Sequence, residues 1–235
     1  MKLEVIGCSP AWPNPGGAHS GYLVTGGGAG VLLDCGPGVL ARLRRDEPWP
    51  QVDAVVITHF HLDHCGDLVA WLWLHLSGPA AGTPGPHLWL PPGGRERLGE
   101  LARLAQWESV FPLHEYEEAA PFDAAGFRIT PRRVVHYDEP TWGLRVERGG
   151  RTLAYSADTA VTPVLAELAA GADAFLCEAT LLEPERGIRG HMTAEDARAV
   201  CRDAGARRLL VTHRSAEHRL DELVYDGFEL DLDER

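Results

Sequence analysis

Short apolar segments that end in a metal-binding side chain are the feature that most constrains the fold of this chain. The segments are only a few residues long, rich in β-branched or aromatic residues, and bounded by Gly, Pro or Asp, which is typical of β-strands. Those that end in a His or a carboxylate lead to His59, His136, Asp158, Glu178, His213 and Asp34. Because ligands gather at the carboxyl ends of strands in α/β sheets, we expect these side chains to converge.

Amphipathic segments between the strands predict helices, and the clearest are PGVLARLRRDE (37–47), GDLVAWLWLHLS (66–77), RERLGELARLAQW (95–107), TPVLAELAAGA (162–172) and TAEDARAVCRDAGA (193–206). Gly-rich turns separate the first strands and helices separate the later ones. The pattern predicts a mixed α/β chain, with two sheets and helices on their outer faces. We expect residues 1–235 to form one hydrolase domain, because the elements on either side of the loop SGPAAGTPGP continue the same rhythm.

The overall charge excludes some functions. With 34 Asp plus Glu against 22 Lys plus Arg, the net charge of −12 disfavours tight binding to a long nucleic acid. No apolar run is long enough for a membrane span or a signal peptide, so we expect no membrane association. The 5 cysteines are scattered and form no CxxC, which indicates buried thiols in a reducing compartment and hence the cytoplasm.

The densest group of candidate ligands is the stretch THFHLDHCGD, which contains His59, His61, Asp63 and His64. A single histidine beside a strand is more often a hydrogen-bonded structural residue, but three histidines and an aspartate packed this tightly favour a metal site. Imidazole and carboxylate ligands without a nearby cysteine suit zinc or a similar divalent first-row metal.

The segment HFHLDH is similar to the HxHxDH signature of the metallo-β-lactamase-fold hydrolases, and later single ligands follow in the order found in that superfamily. The resemblance implies a four-layer αβ/βα sandwich with a site for two divalent ions, zinc being favoured over manganese or iron. It implies that His59, His61 and His136 hold the first ion, and that Asp63, His64 and His213 hold the second, with Asp158 bridging both. A hydroxide that bridges the ions would then attack the substrate.

The segments CEATL and GHMTAEDA resemble the ribonuclease Z-like phosphodiesterase branch, in which a Glu and a His assist proton transfer. The resemblance implies that Glu178 and His191 are catalytic together with Asp63, because a leaving alkoxide needs a proton that a carboxylate-polarised histidine can supply. The alternatives are a carboxylate that caps a loop amide and a solvated residue before a helix. In that helix Thr193 is the expected N-cap, with Asp196 a near miss of the capping box.

The substrate is expected to be a small or cyclic phosphodiester, cyclic nucleotides among them. The tRNA-processing members of this branch carry a long Gly/Pro-rich arm that grips tRNA, commonly between the positions that correspond to His136 and Asp158. Here residues 137–157 predict a single hairpin, so the arm is expected to be absent. Around the site, Ser20 and His19 are candidates for the mouth and Trp142 for stacking on a base, although packing is the favoured role of Trp142. The resemblance also implies a homodimer.

Other functions remain open. A lactone, thioester or carboxylic ester hydrolase on the same fold is one alternative, because the metal ligands alone select no substrate. A tRNA 3′-processing endonuclease without the arm is another. A non-catalytic module that binds metal or nucleotide is a third and less favoured one.

Overall fold

The computed structural model describes residues 1–45, 52–102 and 106–234. Within these residues the strands are β1 (Lys2–Gly7), β2 (Gly21–Gly26), β3 (Ala29–Leu33), β4 (Ala54–Val56), β5 (His87–Leu90), β6 (Leu113–Glu115), β7 (Phe122–Ala124), β8 (Phe127–His136), β9 (Glu139–Arg148), β10 (Arg151–Tyr155), β11 (Ala174–Glu178), β12 (Leu209–Thr212) and β13 (Glu229–Asp231). The helices are α1 (Val39–Leu43), α2 (Leu62–Cys65), α3 (Asp67–Leu76), α4 (Gly94–Leu101), α5 (Trp107–Val110), α6 (Val164–Leu168) and α7 (Ala194–Ala204).

Each predicted helix is present, but three end well before the predicted residue, among them the helix predicted over 162–172, which ends at Leu168. The helix predicted over 37–47 ends at Leu43, and residues 46 and 47 lie outside the described residues. In it Val39 and Leu40 are the buried residues, so little packing supports a longer helix. The helix predicted over 95–107 ends at Leu101, residues 103–105 lie outside the described residues, and α5 begins at Trp107.

The strands form two mixed sheets. One is 7-stranded, in the order β13-β1-β2-β3-β4-β5-β6, and the other is 6-stranded, in the order β12-β11-β10-β9-β8-β7. Each sheet combines an antiparallel part, built from hairpins, with a parallel part whose strands are joined by helical crossovers.

Three hydrophobic clusters separate the layers. The first lies between the sheets, where the rings of Tyr22 and Tyr155 are 5.0 Å apart. The second packs the 7-stranded sheet against its helices around Trp71, and the third packs the 6-stranded sheet against α6 and α7 around Phe175. Each fully buried large side chain contributes about 1.5–3 kcal/mol. This arrangement confirms the predicted four-layer αβ/βα sandwich.

Strand direction brings several chain segments to one edge of this sandwich. In the 7-stranded sheet β3 and β4 are parallel, so Asp34 and the loop after Val56 leave from the same edge. In the 6-stranded sheet β8 runs in the same direction as β10, β11 and β12, because β9 is antiparallel to both β8 and β10. The carboxyl ends of these strands therefore meet where the two sheets share an edge.

Two expectations from composition can be compared with the structure. All 5 cysteines are buried free thiols, as predicted. In the described ranges no helix has the length and apolar character needed to cross a bilayer.

Candidate metal centre

The loop after β4 carries the predicted group of ligands and is fixed through its backbone. The Ser20 N–H donates to the carbonyl of Asp63 at 3.1 Å, and the Cys35 N–H donates to that of His64 at 2.7 Å. Residue 36 must be glycine, since a Cβ there would lie 2.0 Å from the Asp63 carbonyl oxygen. The loop containing His61, Asp63 and His64 is thereby held against the end of β3.

The other ligands follow separate strands. His136 is the last residue of β8, while Asp158 and His213 come just after β10 and β12. Ala157 and His213 have left-handed backbone conformations, each with φ of 52°. Such residues cost of order 1–3 kcal/mol each and cluster at functional sites, where the surrounding structure maintains them. Here they turn the side chains away from the strand axis and into the edge of the sandwich.

The side chains form two adjoining groups of potential ligands. His59, His61 and His136 form one, and Asp63, His64, Asp158 and His213 form the other, with the ligand atoms of each group within 4.8 Å of one another. The structure therefore brings together all the residues predicted as metal ligands. His59 and His64 are fully buried, whereas His61, Asp63, His136, Asp158 and His213 also line a cavity of about 400 Å³.

Buried atoms without partners show that this group suits a cation. Among the described residues, His59 Nε2, His64 Nε2 and Asp158 Oδ1 are buried without a hydrogen-bond partner. Leaving such groups unpaired costs about 1–3 kcal/mol each, and more when the group is charged. A divalent ion accepts electron pairs from imidazole nitrogens and carboxylate oxygens alike, and would satisfy these atoms together.

The electrostatics of His64 support the same conclusion. Its Nε2 lies 3.3 Å from Asp158 Oδ1 and 3.5 Å from Asp63 Oδ2. Burial opposes protonation, but the carboxylates of Asp158, Asp63 and Asp34 outweigh it and raise the pKa of His64 well above its usual value. The carboxylates thus stabilise a positive charge at this position, which a proton or a metal ion can provide.

Asp34 was one of the strand-end residues expected to converge, and it lies behind the cluster instead. Its Oδ2 accepts a hydrogen bond from His64 Nδ1 at 2.8 Å. Oδ2 also accepts from the Tyr155 hydroxyl at 2.9 Å, and Oδ1 accepts from the Thr58 N–H at 2.8 Å. Asp34 has φ of 60°, which turns its carboxylate toward the ring. Such a carboxylate fixes the tautomer and orientation of a ligating histidine.

Glu178 and His191 form a hydrogen-bonded pair beside the cluster. Glu178 is fully buried, and its Oε1 lies 2.7 Å from His191 Nδ1. The same carboxylate accepts from the N–H of Thr159 at 2.9 Å and from the N–H and hydroxyl of Thr180, both at 3.0 Å. A carboxylate accepts hydrogen bonds, so Nδ1 of His191 carries a proton and donates it to Glu178. The other ring nitrogen, Nε2, is then the one that can face the cavity.

The two structural alternatives for this pair, a carboxylate that caps a loop amide and a solvated histidine before a helix, can be compared with the structure. Glu178 does accept from loop amides, as a strand-end carboxylate would. His191, however, is not simply solvated, because its side chain is 14% exposed and lines the cavity. Burial opposes its protonation, but the hydrogen bond and charge of Glu178 prevail and raise the pKa of His191 to about 9.

The loop that carries His191 is held at both ends. The Tyr137 hydroxyl donates to Glu185, whose other oxygen accepts from the Gly190 N–H at 2.9 Å. The Tyr137 ring lies on Gly190 so closely that a Cβ there would be 2.2 Å from it. Tyr137 itself has a left-handed backbone, with φ of 47°. The Gly190 carbonyl in turn accepts from His136 Nδ1 at 2.9 Å, so this loop also orients a candidate metal ligand.

At the other end, Thr193 and Asp196 complete a capping box at the start of α7. The Asp196 N–H donates to Thr193 Oγ1 at 3.2 Å, and the Thr193 N–H donates to Asp196 Oδ2 at 3.0 Å. Asp196 thus occupies the capping-box position at which glutamate or glutamine is usual. Arg189 also donates to its carboxylate at 2.6 Å. What the sequence indicated as a near miss is a complete box.

Several residues of the cavity were not anticipated from the sequence. Trp12, Tyr137, Thr180, Leu182 and Glu185 all line it. The Pro- and Gly-rich loop after β1 was expected near the mouth, but it contributes Ala11 and Trp12 and not the predicted Ser20 or His19. Ser20 is fully buried, and His19 Nδ1 donates to the carbonyl of Pro10 at 2.8 Å. Trp142 packs in the core between the sheets, in agreement with its favoured role.

Thr180 is the most informative of these omissions. Its Oγ1 lies 3.0 Å from Glu178 Oε2 and 2.8 Å from His213 Nδ1. The hydroxyl therefore connects the Glu178–His191 pair with a candidate metal ligand. Its position two residues after Glu178, in CEAT, was the only sequence signal that pointed to it.

The two-sheet sandwich and the His/Asp cluster at its edge define a metal-dependent hydrolase of the metallo-β-lactamase fold. Residues 30–214 match the family model described as the beta-lactamase superfamily domain. The Mycobacterium tuberculosis protein Rv1339 is 34% identical over 224 residues, which cover 91% of this chain and 80% of that protein.

Two further relatives have names that state an activity. The probable metallo-hydrolase YhfI of Bacillus subtilis is 31% identical over 214 residues, covering 91% of this chain and 86% of that protein. Its crystal structure superimposes with a TM-score of 0.86 at 26% identity, over 97% of this chain and 98% of the other. The ribonuclease Z of Myxococcus xanthus is 27% identical over 302 aligned positions, covering 99% of this chain and 98% of that protein. The chain therefore belongs to the beta-lactamase superfamily, among its metallo-hydrolases.

Proposed function

We propose that this protein is a dinuclear metal-dependent phosphodiesterase that hydrolyses small or cyclic phosphodiesters, cyclic nucleotides among them. His59, His61 and His136 would hold one divalent ion, and Asp63, His64 and His213 the other, with Asp158 shared between them. Zinc is the favoured ion, because imidazole and carboxylate ligands suit it, and manganese and iron share those preferences in part. When bound, the ions would lower the pKa of a coordinated water and stabilise negative charge on a phosphoryl oxygen.

The Glu178–His191 hydrogen bond is the observation that carries the proposal. A phosphodiester releases an alkoxide, which is a poor leaving group until it receives a proton. His191 holds a proton on Nδ1 against Glu178 and presents its other ring nitrogen to the cavity that Asp158 and His136 also line. Burial of Glu178 keeps water from competing for this bond. In its doubly protonated form, which the raised pKa of about 9 favours near neutral pH, His191 would be placed to donate its second proton from Nε2 to the departing oxygen and to keep the proton on Nδ1.

The size of the cavity supports a small substrate. Its volume of about 400 Å³ is near the lower end of the range of 300–1,000 Å³ that is typical of small-molecule sites. Between His136 and Asp158 the chain forms only β9 and β10, which are joined by a tight turn. The alignment with ribonuclease Z extends over 302 positions against the 235 residues of this chain, so that relative has additional residues. The small cavity, the short hairpin and the net charge of −12 all disfavour tRNA as substrate.

The direct test is hydrolysis of a substrate panel by protein loaded with zinc or with manganese. The panel contains bis(p-nitrophenyl) phosphate, 2′,3′- and 3′,5′-cyclic nucleotides, a lactone and a thioester. We expect turnover of the phosphodiesters. The lactone or thioester alternative would be supported if those substrates alone were hydrolysed, and the non-catalytic alternative if metal bound but no ester was cleaved.

The role of His191 is tested by its dependence on the leaving group. His191→Ala should reduce turnover of the cyclic nucleotides by about 10²-fold or more, because their leaving group is an alkoxide. Bis(p-nitrophenyl) phosphate, whose leaving group needs little protonation, should lose much less. His87→Ala, which removes an exposed histidine outside the cavity, is the matched control. Equal losses on both classes of substrate would exclude proton donation by His191.

A further inference from the structure

A second cavity lies on the other side of the loop that follows β1. Its volume is about 910 Å³, larger than the 400 Å³ of the candidate active site. The residues that give it a distinctive chemistry are Arg42, Arg45, Arg214, Arg219, Tyr225 and Asp226. Four of the residues that line it are arginines, in a chain of net charge −12.

The carboxylate on this wall, Asp226, pairs with Arg42 at 2.7 Å. Its two oxygens also accept from the N–H of Cys8 at 3.1 Å and from that of Ala18 at 2.9 Å. The negative charge of Asp226 is thus shared among one guanidinium and two backbone donors, and it is not directed at Arg214 or Arg219.

Arg214 is the most unusual of these cations. It is only 6% exposed, and its guanidinium donates to the carbonyls of Ala179 at 2.6 Å, Leu181 at 2.9 Å and His218 at 3.2 Å. In the part of the chain that the structure describes, these neutral oxygens are its partners and no carboxylate pairs with it. A buried cation without a counter-ion is unfavourable, and an anion that enters the cavity would relieve this cost.

We propose that this cavity is a binding site for the dianion of a phosphate monoester. Arginine recognises phosphate oxygens through its N–H donors. Among the described residues, the Nε and Nη1 donors of Arg214 bind backbone carbonyls, which leaves Nη2 for a ligand, and Arg219 is exposed on the same wall. Tyr225, 66% exposed on the same wall, offers an aromatic face against which a nucleobase could stack. The shared ligand chemistry is the phosphate monoester, and a nucleoside monophosphate or inorganic phosphate could supply it. The site does not depend on the reaction at the metal centre.

This cavity and the candidate active site are lined by different residues of the same two loops. Asn14 Nδ2 donates to the carbonyl of Arg214 at 3.2 Å, and its Oδ1 accepts from the N–H of Ala216 at 2.9 Å. The loop of Asn14 also contains Trp12, which lines the active-site cavity, and Arg214 directly follows His213. The second site is therefore built from the reverse side of two loops that form the first.

The test is calorimetric titration of the zinc-loaded protein with adenosine 5′-monophosphate and, separately, with inorganic phosphate. We expect a binding event at this cavity in the wild type, whether or not the metal centre binds the same ligand. Arg219→Glu should weaken that event by about tenfold or more, because it replaces a charge-assisted donor with a repelling carboxylate. Arg128→Glu, the same change on an exposed arginine of β8, should leave it unchanged. Zinc content and thermal midpoint establish that each variant is folded.

Tyr225→Ala distinguishes the two sources of the ligand. If the site takes a nucleotide, this variant should weaken adenosine 5′-monophosphate severalfold toward the affinity of inorganic phosphate, which itself should not change. If neither affinity changes, the nucleotide is excluded and inorganic phosphate is the ligand. The absence of any binding event that Arg219→Glu weakens overturns the proposal. This result does not depend on whether the metal centre cleaves phosphodiesters.

Discussion

Two buried carboxylate–imidazole pairs lie beside the metal-ligand cluster, one on each sheet. On the 7-stranded sheet Asp34 pairs with His64 at 2.8 Å, and on the 6-stranded sheet Glu178 pairs with His191 at 2.7 Å. In both pairs the carboxylate is fully buried and also accepts from a backbone N–H and a threonine hydroxyl. Contact distances alone would give the two histidines the same role.

What differs is the environment of the other ring nitrogen. The His64 side chain is fully buried, and its Nε2 has the oxygens of Asp63 and Asp158 as neighbours. The His191 side chain is 14% exposed and lies on the wall of the cavity. An imidazole directed at two carboxylates is suited to hold a cation, whereas one that faces open space can reach a substrate. The comparison teaches that a carboxylate–histidine pair acquires its function from what the far nitrogen faces.

The largest expected effect separates the two histidines by metal content. His64→Ala should release one of two bound ions per chain and reduce kcat/KM on the order of 10³-fold, because the remaining ligands leave Asp63 and Asp158 poorly compensated. His191→Ala should retain both ions. Metal analysis of the purified proteins, with circular dichroism as a check of folding, measures the difference. A full complement of metal in His64→Ala would contradict the assignment.

The carboxylates behind the rings should differ in the same way. Asp34→Asn should weaken metal affinity by about 10–100-fold, which is the usual effect of losing a partner that orients a ligating histidine. Glu178→Gln should leave metal affinity within about twofold while lowering turnover of cyclic nucleotides by about 10²-fold. Competition with a chelator measures the affinities. Equal loss of metal in both variants would mean that the two pairs play one role.

A smaller effect is expected at the support of the His191 loop. Tyr137→Phe removes the hydroxyl that bonds Glu185, and so loosens the segment up to Gly190 without touching the ring of His191. We expect kcat to fall about tenfold, with KM and metal content little changed, since misplacement of a catalytic group lowers the rate more than binding. A purely structural role for Tyr137 would lower the thermal midpoint and leave kcat of the folded protein intact.

The smallest effect concerns pH. Arg189 and the Thr193 N–H bond Asp196, and although burial acts in the opposite direction they lower the pKa of this carboxyl below its usual value. A lowered pKa means that the stabilisation is present above the unfolded value of about 4 and is lost as pH falls through the folded value. Asp196→Asn should therefore cost about 1 kcal/mol near pH 6 and progressively less toward pH 3. Urea unfolding of both proteins across this range tests it, and a constant difference would refute it.

The sequence predicted the fold and the convergence of the candidate ligands because their signals are local. The spacing of apolar residues along the chain indicates which segments form strands and which form helices, and the structure contains these elements where the spacing predicts them. His59, His61, Asp63 and His64 could be recognised together because they occupy one short loop. Convergence of strand ends was predictable too, since parallel strands share an edge. Thr193 and Asp196 were recognisable as a helix start for the same reason.

The sequence alone did not determine which strand-end carboxylates lie in the candidate metal cluster and which support a histidine. Asp34, Asp158 and Glu178 look alike at the ends of apolar runs, and the tertiary structure separates them by packing across two sheets. Three other arrangements likewise depend on contacts between residues far apart in the chain. They are the packing of Tyr137 on Gly190, the position of Thr180 between Glu178 and His213, and the grouping of arginines around the second cavity. The direction of a side chain at a strand end depends on local backbone angles, such as the left-handed ones at Asp34 and His213. Those angles are maintained by neighbours in space, so only the folded molecule reveals them.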